Sequence, residues 1–172
     1  MNHFFEIKES DVVKNGNKKI LDTYDIRRSS RGIIFDENNN IALFHVKKKG
    51  YHKTPGGGIE DDESPIIALK REILEETGCT IQDINELCVI NEYVNVANRL
   101  RIAYFFTAKV LQNTGETNLT IDEQESESYI KWVNIDKAIE LVKSEKPNNY
   151  FAKFVKKRCL TALELAKELI LN

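Results

Sequence analysis

The sequence predicts an α/β fold in which a mixed sheet carries helices packed against it. Runs rich in β-branched and aromatic residues recur along the chain, as strands require. Other segments space their apolar residues three and four apart, as helices require. The two kinds of segment are interspersed without strict βαβ alternation, which favours a mixed sheet over a doubly wound parallel one. At 172 residues, a single domain spanning 1–172 is the simplest organisation, and it is large enough to bury a core.

Taken in order, HFFEIKE and KKILDTYD flank the turn-like KNGN, so residues 1–26 are expected to form an N-terminal hairpin extension. RGIIF and IALFHV flank DENNN at 36–40. Asn accepts the positive φ of tight hairpins, so 29–36 and 41–47 are expected to pair. Ser64-Pro65 is a helix start, because Ser caps free N–H groups and Pro suits the first helical position. Gly78 is the matching stop, a residue at ease in the left-handed conformation. On the helix between them Ile66, Leu69 and Ile73 share a stripe, with Ile67 and Leu74 on its flank. LCVINEYVN (87–95) and LRIAYFFTAKV (100–110) read as strands, and YIKWV (129–133) as a short strand leading into a helix over NIDKAIELVKSE. Residues 148–171 place Phe151, Phe154, Val155, Ala162, Leu163, Ala166, Leu169 and Ile170 at helical spacing. This C-terminal helix is expected to dock on the core, with a homodimer surface as the alternative.

Composition excludes several classes. Hydrophobic residues at 41% and charged residues at 30% match ordinary globular usage, not disorder. A net charge of −2 gives no electrostatic case for a nucleic-acid polymer as partner. No apolar run approaches the roughly eighteen residues of a membrane span, and MNHFFEIKES lacks the pattern of a signal peptide. Cys79, Cys88 and Cys159 are odd in number, far apart and without CxxC spacing, which argues against disulfides or a thiolate zinc site. A reduced, cytoplasmic setting is the expectation.

The stretch PGGGIEDDESPIIALKREILEETGC (55–79) poses the chemical question. Between Glu60 and Glu76 it holds seven acidic residues against two basic ones, a local charge of −5 in a chain of −2. On the helix, Glu72, Glu75 and Glu76 cluster within one turn, each like-charged pair costing a few tenths of a kcal/mol. They also lie near the C-terminal end, where the helix dipole disfavours anions. A hard divalent cation would offset this, since Mg²⁺ takes oxygen ligands from a few carboxylates together with substrate phosphates. Gly56, Gly57 and Gly58 ahead of the helix allow close backbone approach to an ion.

The spacing of Gly57, Glu63, Arg71, Glu72, Ile73, Glu75, Glu76 and Gly78 resembles the Nudix box, the signature of the Nudix hydrolases. With residue usage near 7% each, seven fixed identities would recur by chance on the order of once in 10⁵ chains of this length or more rarely. Two departures show: Cys79 replaces the usual aliphatic, and Asp62 stands where many members have Gly. The resemblance implies a Nudix-type α/β/α sandwich with a loop–helix–loop catalytic motif that binds Mg²⁺ or Mn²⁺. It implies hydrolysis of a nucleoside di- or triphosphate, or of another derivative of a nucleoside diphosphate, a nucleotide-type small molecule. Carried over by position, Glu72, Glu75 and Glu76 are metal ligands, with the Gly56 carbonyl as a further one. Glu63 and Arg71 form a salt bridge orienting loop against helix. A catalytically inactive nucleotide-binding module is the alternative.

The general base stays open between Glu72, Glu76 and a further acid from a later loop. IDEQESESYIKW supplies Asp122, Glu123, Glu125 and Glu127, of which Glu125 and Glu127 lie nearest the YIKWV strand and are the expected additional ligands. Glu92 is another candidate. Phosphate-facing cations are sought among Arg27, Arg28, Arg31, Lys47, Lys48, Lys49, Lys53, Arg99 and Arg101, with Arg31 and Lys53 nearest the box. Gly57 is expected at the substrate, and Tyr51, His52 or Tyr93 to stack on a base; His45 reads as a strand-face residue. Relatives specialised for ADP-ribose tend to carry a Pro about sixteen residues past the box; Asn95 occupies that place here.

Overall fold

The computed structural model describes residues 3–171. Its elements are β1 (Phe4–Ile7), α1 (Glu9–Val12), β2 (Asp25–Phe35), β3 (Ile41–Val46), β4 (Tyr51–Lys53), β5 (Gly56–Gly58), α2 (Pro65–Thr77), β6 (Cys79–Val94), β7 (Arg99–Asn113), α3 (Ile121–Glu125), β8 (Ser128–Val133), α4 (Ile135–Ser144) and α5 (Tyr150–Leu171). The strands form one mixed sheet in the order β1-β6-β7-β2-β3-β4, with β5 on β2 and β8 on β3. β6 and β7 run antiparallel, whereas β7 and β2 run parallel from Asp25↔Arg99 to Phe35↔Lys109.

Period-two alternation sorts the core into two layers. Ile34, Ala42, Phe106 and Ala108 face α2, where Leu69 and Ile73 meet them. Their neighbours Ile33, Ile41, Leu43 and Phe105 face the other way, onto Ala138 and Val142 of α4 and Phe154, Ala162, Leu163 and Ala166 of α5. Helices therefore cover both faces, and the architecture is an α/β/α sandwich.

α2 starts and stops where the sequence indicates. Ser64 Oγ accepts from the Ile67 N–H at 3.3 Å, Pro65 opens the helix, and Gly78 closes it at φ 70°. Its buried stripe is displaced from the expected one: Ala68, Leu69, Ile73, Glu76 and Thr77 are buried, whereas Ile66, Ile67 and Leu74 are exposed. On α5, Phe151, Leu169 and Ile170 are likewise exposed.

Two pairings differ from expectation. The predicted hairpin of 29–36 with 41–47 is reduced to one bridge, Phe35↔Ile41, because β7 and β5 take up the backbone of β2 and β8 that of β3. The predicted N-terminal hairpin in 1–26 does not form among the described residues. β1 instead adds to the edge of β6 in parallel, Phe4↔Val89 to Ile7↔Glu92, which buries Ile7. The KILDTY arm has no strand partner among the described residues and is tied down by side chains. Tyr24 Oη donates to Asn95 Oδ1 at 2.7 Å, and Asn95 Nδ2 donates to the Lys19 carbonyl at 2.9 Å.

Candidate active site

α2, β5 and the end of β4 meet at one edge of the sandwich, and the pairing of β5 with Ser29–Arg31 fixes the glycine loop against β2. Gly56 sits at φ 127°, and a Cβ there would lie 2.2 Å from the Ser30 carbonyl oxygen, so the residue type follows from the close approach. A Cβ on Gly57 would come within 2.4 Å of both Glu72 carboxylate oxygens. The loop thus packs its backbone directly on the helix acids.

Arg71 organises those acids. Its Nε and Nη2 donate to Glu63 Oε1 and Oε2 at 2.8 and 2.9 Å, the two-pronged geometry that suits a guanidinium. Its Nη1 donates to Glu72 Oε1 at 2.8 Å and to Glu75 Oε2 at 3.3 Å, and Nη2 also reaches the Gly58 carbonyl. The Arg71 contact holds the Glu63 carboxyl down at about 2, and Glu63 foremost raises the proton affinity of Arg71.

Glu76 is 3% exposed, accepts from the Gly56 N–H at 2.7 Å and pairs with Lys53 Nζ at 2.9 Å. Burial pushes its carboxyl up to about 7, against the opposing pull of Lys53 and the Gly56 N–H. Burial also raises Glu72. Lys53 reaches a second carboxylate, Glu123 Oε1, at 3.3 Å. Burial would raise Glu123, but Lys53 and hydrogen bonds with Glu76 and Thr120 bring it below the ordinary carboxylate range. Lys53 and Arg71 therefore supply the positive charge in this arrangement, and among the described residues no three His, Cys, Asp or Glu side chains converge at metal-binding positions. The donor set nonetheless fits a hard divalent ion: three carboxylates share one helix end, and Glu76 is buried with its second oxygen on a lysine that a cation can replace.

Several expected residues lie elsewhere. Glu127 pairs with Lys47 and Lys48 at the surface, and Glu125 is exposed. Residues 121–125 form α3 rather than an early start of β8, so helical spacing brings Glu123 to the box acids in their place. Thr120 caps that helix, and its reciprocal bonds with Glu123 were a capping-box signal legible in T-I-D-E. The Gly56 carbonyl is not free; Arg31 Nη1 donates to it at 2.8 Å. Tyr93 is remote from the acids, its hydroxyl donating to Glu6 at 2.6 Å and its ring tilted against Tyr24. Glu92 is buried in an ion pair with Arg158. His52 is buried against Glu145 and stacks on His45, whose Nδ1 lies 3.1 Å from the Tyr129 hydroxyl.

Arg31, Lys53, Gly58 and Glu63 border a cleft of about 750 Å³ between β2, β7, the loop at 58–63 and α5. Arg27, Arg28, Arg99, Arg101 and Arg158 add to its wall. The wall thus carries seven cationic side chains against the carboxylates of Glu60, Asp61, Asp62 and Glu63, and Lys53 joins it to Glu76, an arrangement that can hold a polyanion beside the helix acids.

The comparisons with known proteins agree with this geometry. The NUDIX domain profile matches residues 25–154. The chain is 37% identical over 59 residues to an RNA pyrophosphohydrolase of Vibrio cholerae serotype O1, covering 33% of this chain and 34% of that protein. It is 39% identical over 61 residues to an 8-oxo-dGTP diphosphatase of Proteus vulgaris, covering 30% of this chain and 54% of that protein. The matched part therefore spans about a third to a half of the length of these relatives. Among solved structures, a NUDIX hydrolase from Nitrosomonas europaea superposes with a TM-score of 0.57 at 16% identity, covering 78% of this chain and 89% of that one, a likeness of fold. With the profile spanning most of the chain and the box residues gathered around one helix end, the protein belongs to the NUDIX family.

Proposed function

We propose that this protein is a Mg²⁺-dependent pyrophosphohydrolase, with Mn²⁺ as the alternative ion, acting on a nucleoside di- or triphosphate or another nucleoside diphosphate derivative. The observation that carries the reading is the cluster of Glu72, Glu75 and Glu76, two held by Arg71 and the third joined through Lys53 to a cleft that Arg27, Arg28 and Arg31 also line. The names of the matched relatives, a pyrophosphohydrolase and a diphosphatase, support cleavage of a phosphoric anhydride. The reading treats the whole chain as one catalytic domain working in a reduced cytoplasmic setting, which three free, buried cysteines support.

Glu72, Glu75 and Glu76 are the residues that would hold the ion, which when bound neutralises phosphate charge and lowers the pKa of a water. The chain's own side chains do the rest. Arg27, Arg28 and Arg31 bind and orient the phosphates through charge-assisted hydrogen bonds. Arg71 and Glu63 keep the glycine loop seated on α2. A carboxylate takes the proton of the attacking water as the new P–O bond forms and the bridging P–O bond breaks, the bridging oxygen leaving with the departing phosphate. We take Glu76 or Glu123 as that carboxylate, a reading supported by their shared ion pairs with Lys53 beside the helix acids.

A nucleotide panel with Mg²⁺, read as release of phosphate or pyrophosphate, tests the proposal. Turnover of at least one nucleotide is expected, and Glu75→Gln or Glu76→Gln should each reduce it by about a hundredfold or more with the fold retained by circular dichroism. Activity that survives both substitutions would overturn the assignment. Nucleotide-dependent thermal stabilisation without turnover would identify a binding module instead.

A further inference from the structure

The wall of the cleft away from the box acids holds a charge arrangement that the hydrolytic site does not account for. Glu92 of β6 is fully buried, and Arg158 of α5 is 5% exposed. Arg158 Nη1 donates to Glu92 Oε2 at 2.6 Å. Arg101, directly opposite Glu92 in the β6–β7 ladder, approaches the same oxygen at 4.0 Å. The other carboxylate oxygen, Glu92 Oε1, is shut off from solvent and has no hydrogen-bond partner among the described residues. Two guanidiniums thus share one carboxylate, and they use one of its oxygens.

A third guanidinium lies beside them. Arg31 spends Nη1 on the Thr54 and Gly56 carbonyls, and its Nε is buried without a partner among the described residues. Burial foremost, and then Arg158, lowers the proton affinity of Arg31. Burial likewise lowers that of Arg101, Glu92 opposing and Arg158 adding to the effect. Cations withdrawn from water are stable when paired, and here the local pairing leaves an excess of positive charge along a cleft. A planar guanidinium matches the oxygens of a phosphate, and a phosphate monoester carries nearly two negative charges. Arg31 connects this cluster to the acids through Gly56, whose carbonyl accepts from Arg31 and whose N–H donates to Glu76.

We infer that Arg101 and Arg158, with Glu92 positioning them and Arg31 at the inner edge, form an anion subsite for a phosphoryl group of the substrate beyond the two of the scissile anhydride. The inference rests on the pyrophosphohydrolase reading of the cleft and deepens it by naming an anionic group that the substrate must carry. Arg158 lies past residue 154, where the family profile ends, so the C-terminal helix adds the subsite to the domain. The phosphoryl group comes either from a longer phosphate chain or from a monoester on the group attached to the diphosphate.

The test compares kcat/KM for a nucleoside triphosphate, a nucleoside diphosphate sugar without further charge, and the same compound bearing a phosphate monoester. Variants are Arg101→Gln and the double change Glu92→Gln with Arg158→Gln, which removes both members of the buried ion pair together. Preference for the phosphorylated substrates over the uncharged one should fall about ten- to a hundredfold in both variants. Which of the two phosphorylated substrates loses more identifies the source of the group. Unchanged preference, or equal loss on all three substrates, would overturn the subsite. Calorimetric titration of inorganic orthophosphate without divalent ions keeps the two readings apart. Binding to the wild type that weakens about tenfold or more in Arg101→Gln supports the subsite even if none of these compounds is hydrolysed, and equal affinity in both proteins refutes it.

Discussion

Asp62 stands at φ 68°, in the left-handed region, two residues before the helix cap. Gly adopts that conformation freely, and Asp is one of the few other residues at ease there. Asp62→Gly should stabilise the fold by about 0.5 kcal/mol, the relief of the left-handed cost exceeding glycine's entropy penalty, measurable as a shift of the urea midpoint. His45 offers a pH readout. Burial, then His52, Lys131 and Lys47, hold its imidazole down to about 4 from 6.5. Between those values the unfolded chain binds the extra proton, so stability falls as pH drops through the window and the loss is complete below about 4. Urea midpoints recorded from pH 7 to pH 4 should decline less steeply in His45→Gln than in the wild type. At this scale the clustering of Arg71 with the three helix glutamates was legible because a fixed spacing on one helix decides who meets whom. The Glu63–Arg71 pair, which lies across the loop and the helix, was instead implied by the resemblance to the box. Arg158 was not legible, since a lone arginine on an amphipathic C-terminal helix reads as a solvated residue until the sheet places Glu92 beneath it.

The helix α2 shows how local signals and long-range packing divide the work. Its ends are local: Ser64→Ala should cost about 1 kcal/mol through the lost cap. Gly78→Ala should cost more, about 2 kcal/mol, since a Cβ at φ 70° would also sit 2.8 Å from the Glu116 carbonyl oxygen. Thermal unfolding of the two variants would show the order, and a smaller effect for Gly78→Ala would contradict the closure geometry. The buried face of the same helix is not local. Periodicity puts Ile66, Leu69 and Ile73 on one stripe, but the glycine loop draws Glu76 inward and leaves Ile66 exposed. The segment 121–125 went the same way in reverse. A strand reading favoured Glu125 and Glu127, whereas the T-I-D-E cap makes a short helix and hands the inward position to Glu123.

Across the molecule, the sandwich and its two apolar layers follow from alternation, but the strand neighbours do not, because nothing local distinguishes a partner close in sequence from one much farther along. β2 lies beside β7 along eleven paired positions while touching β3 at one. The packing makes a simple chemical prediction. Cys79, Cys88 and Cys159 are all buried, and burial pushes the Cys88 and Cys159 thiols up to about 12. A chromogenic thiol reagent at pH 8 should find no fast-reacting cysteine in the native protein and three after unfolding in guanidinium; rapid native labelling would contradict the burial. The parallel ladder of β2 with β7 also sets a timetable for synthesis. At 5–20 residues per second, roughly ten seconds separate the emergence of Phe35 from that of Asn113. Throughout that interval the apolar half of β2 is on the ribosome without the strand it needs, so nascent chains halted before Arg99 should remain protease-sensitive and depend on a chaperone to stay soluble.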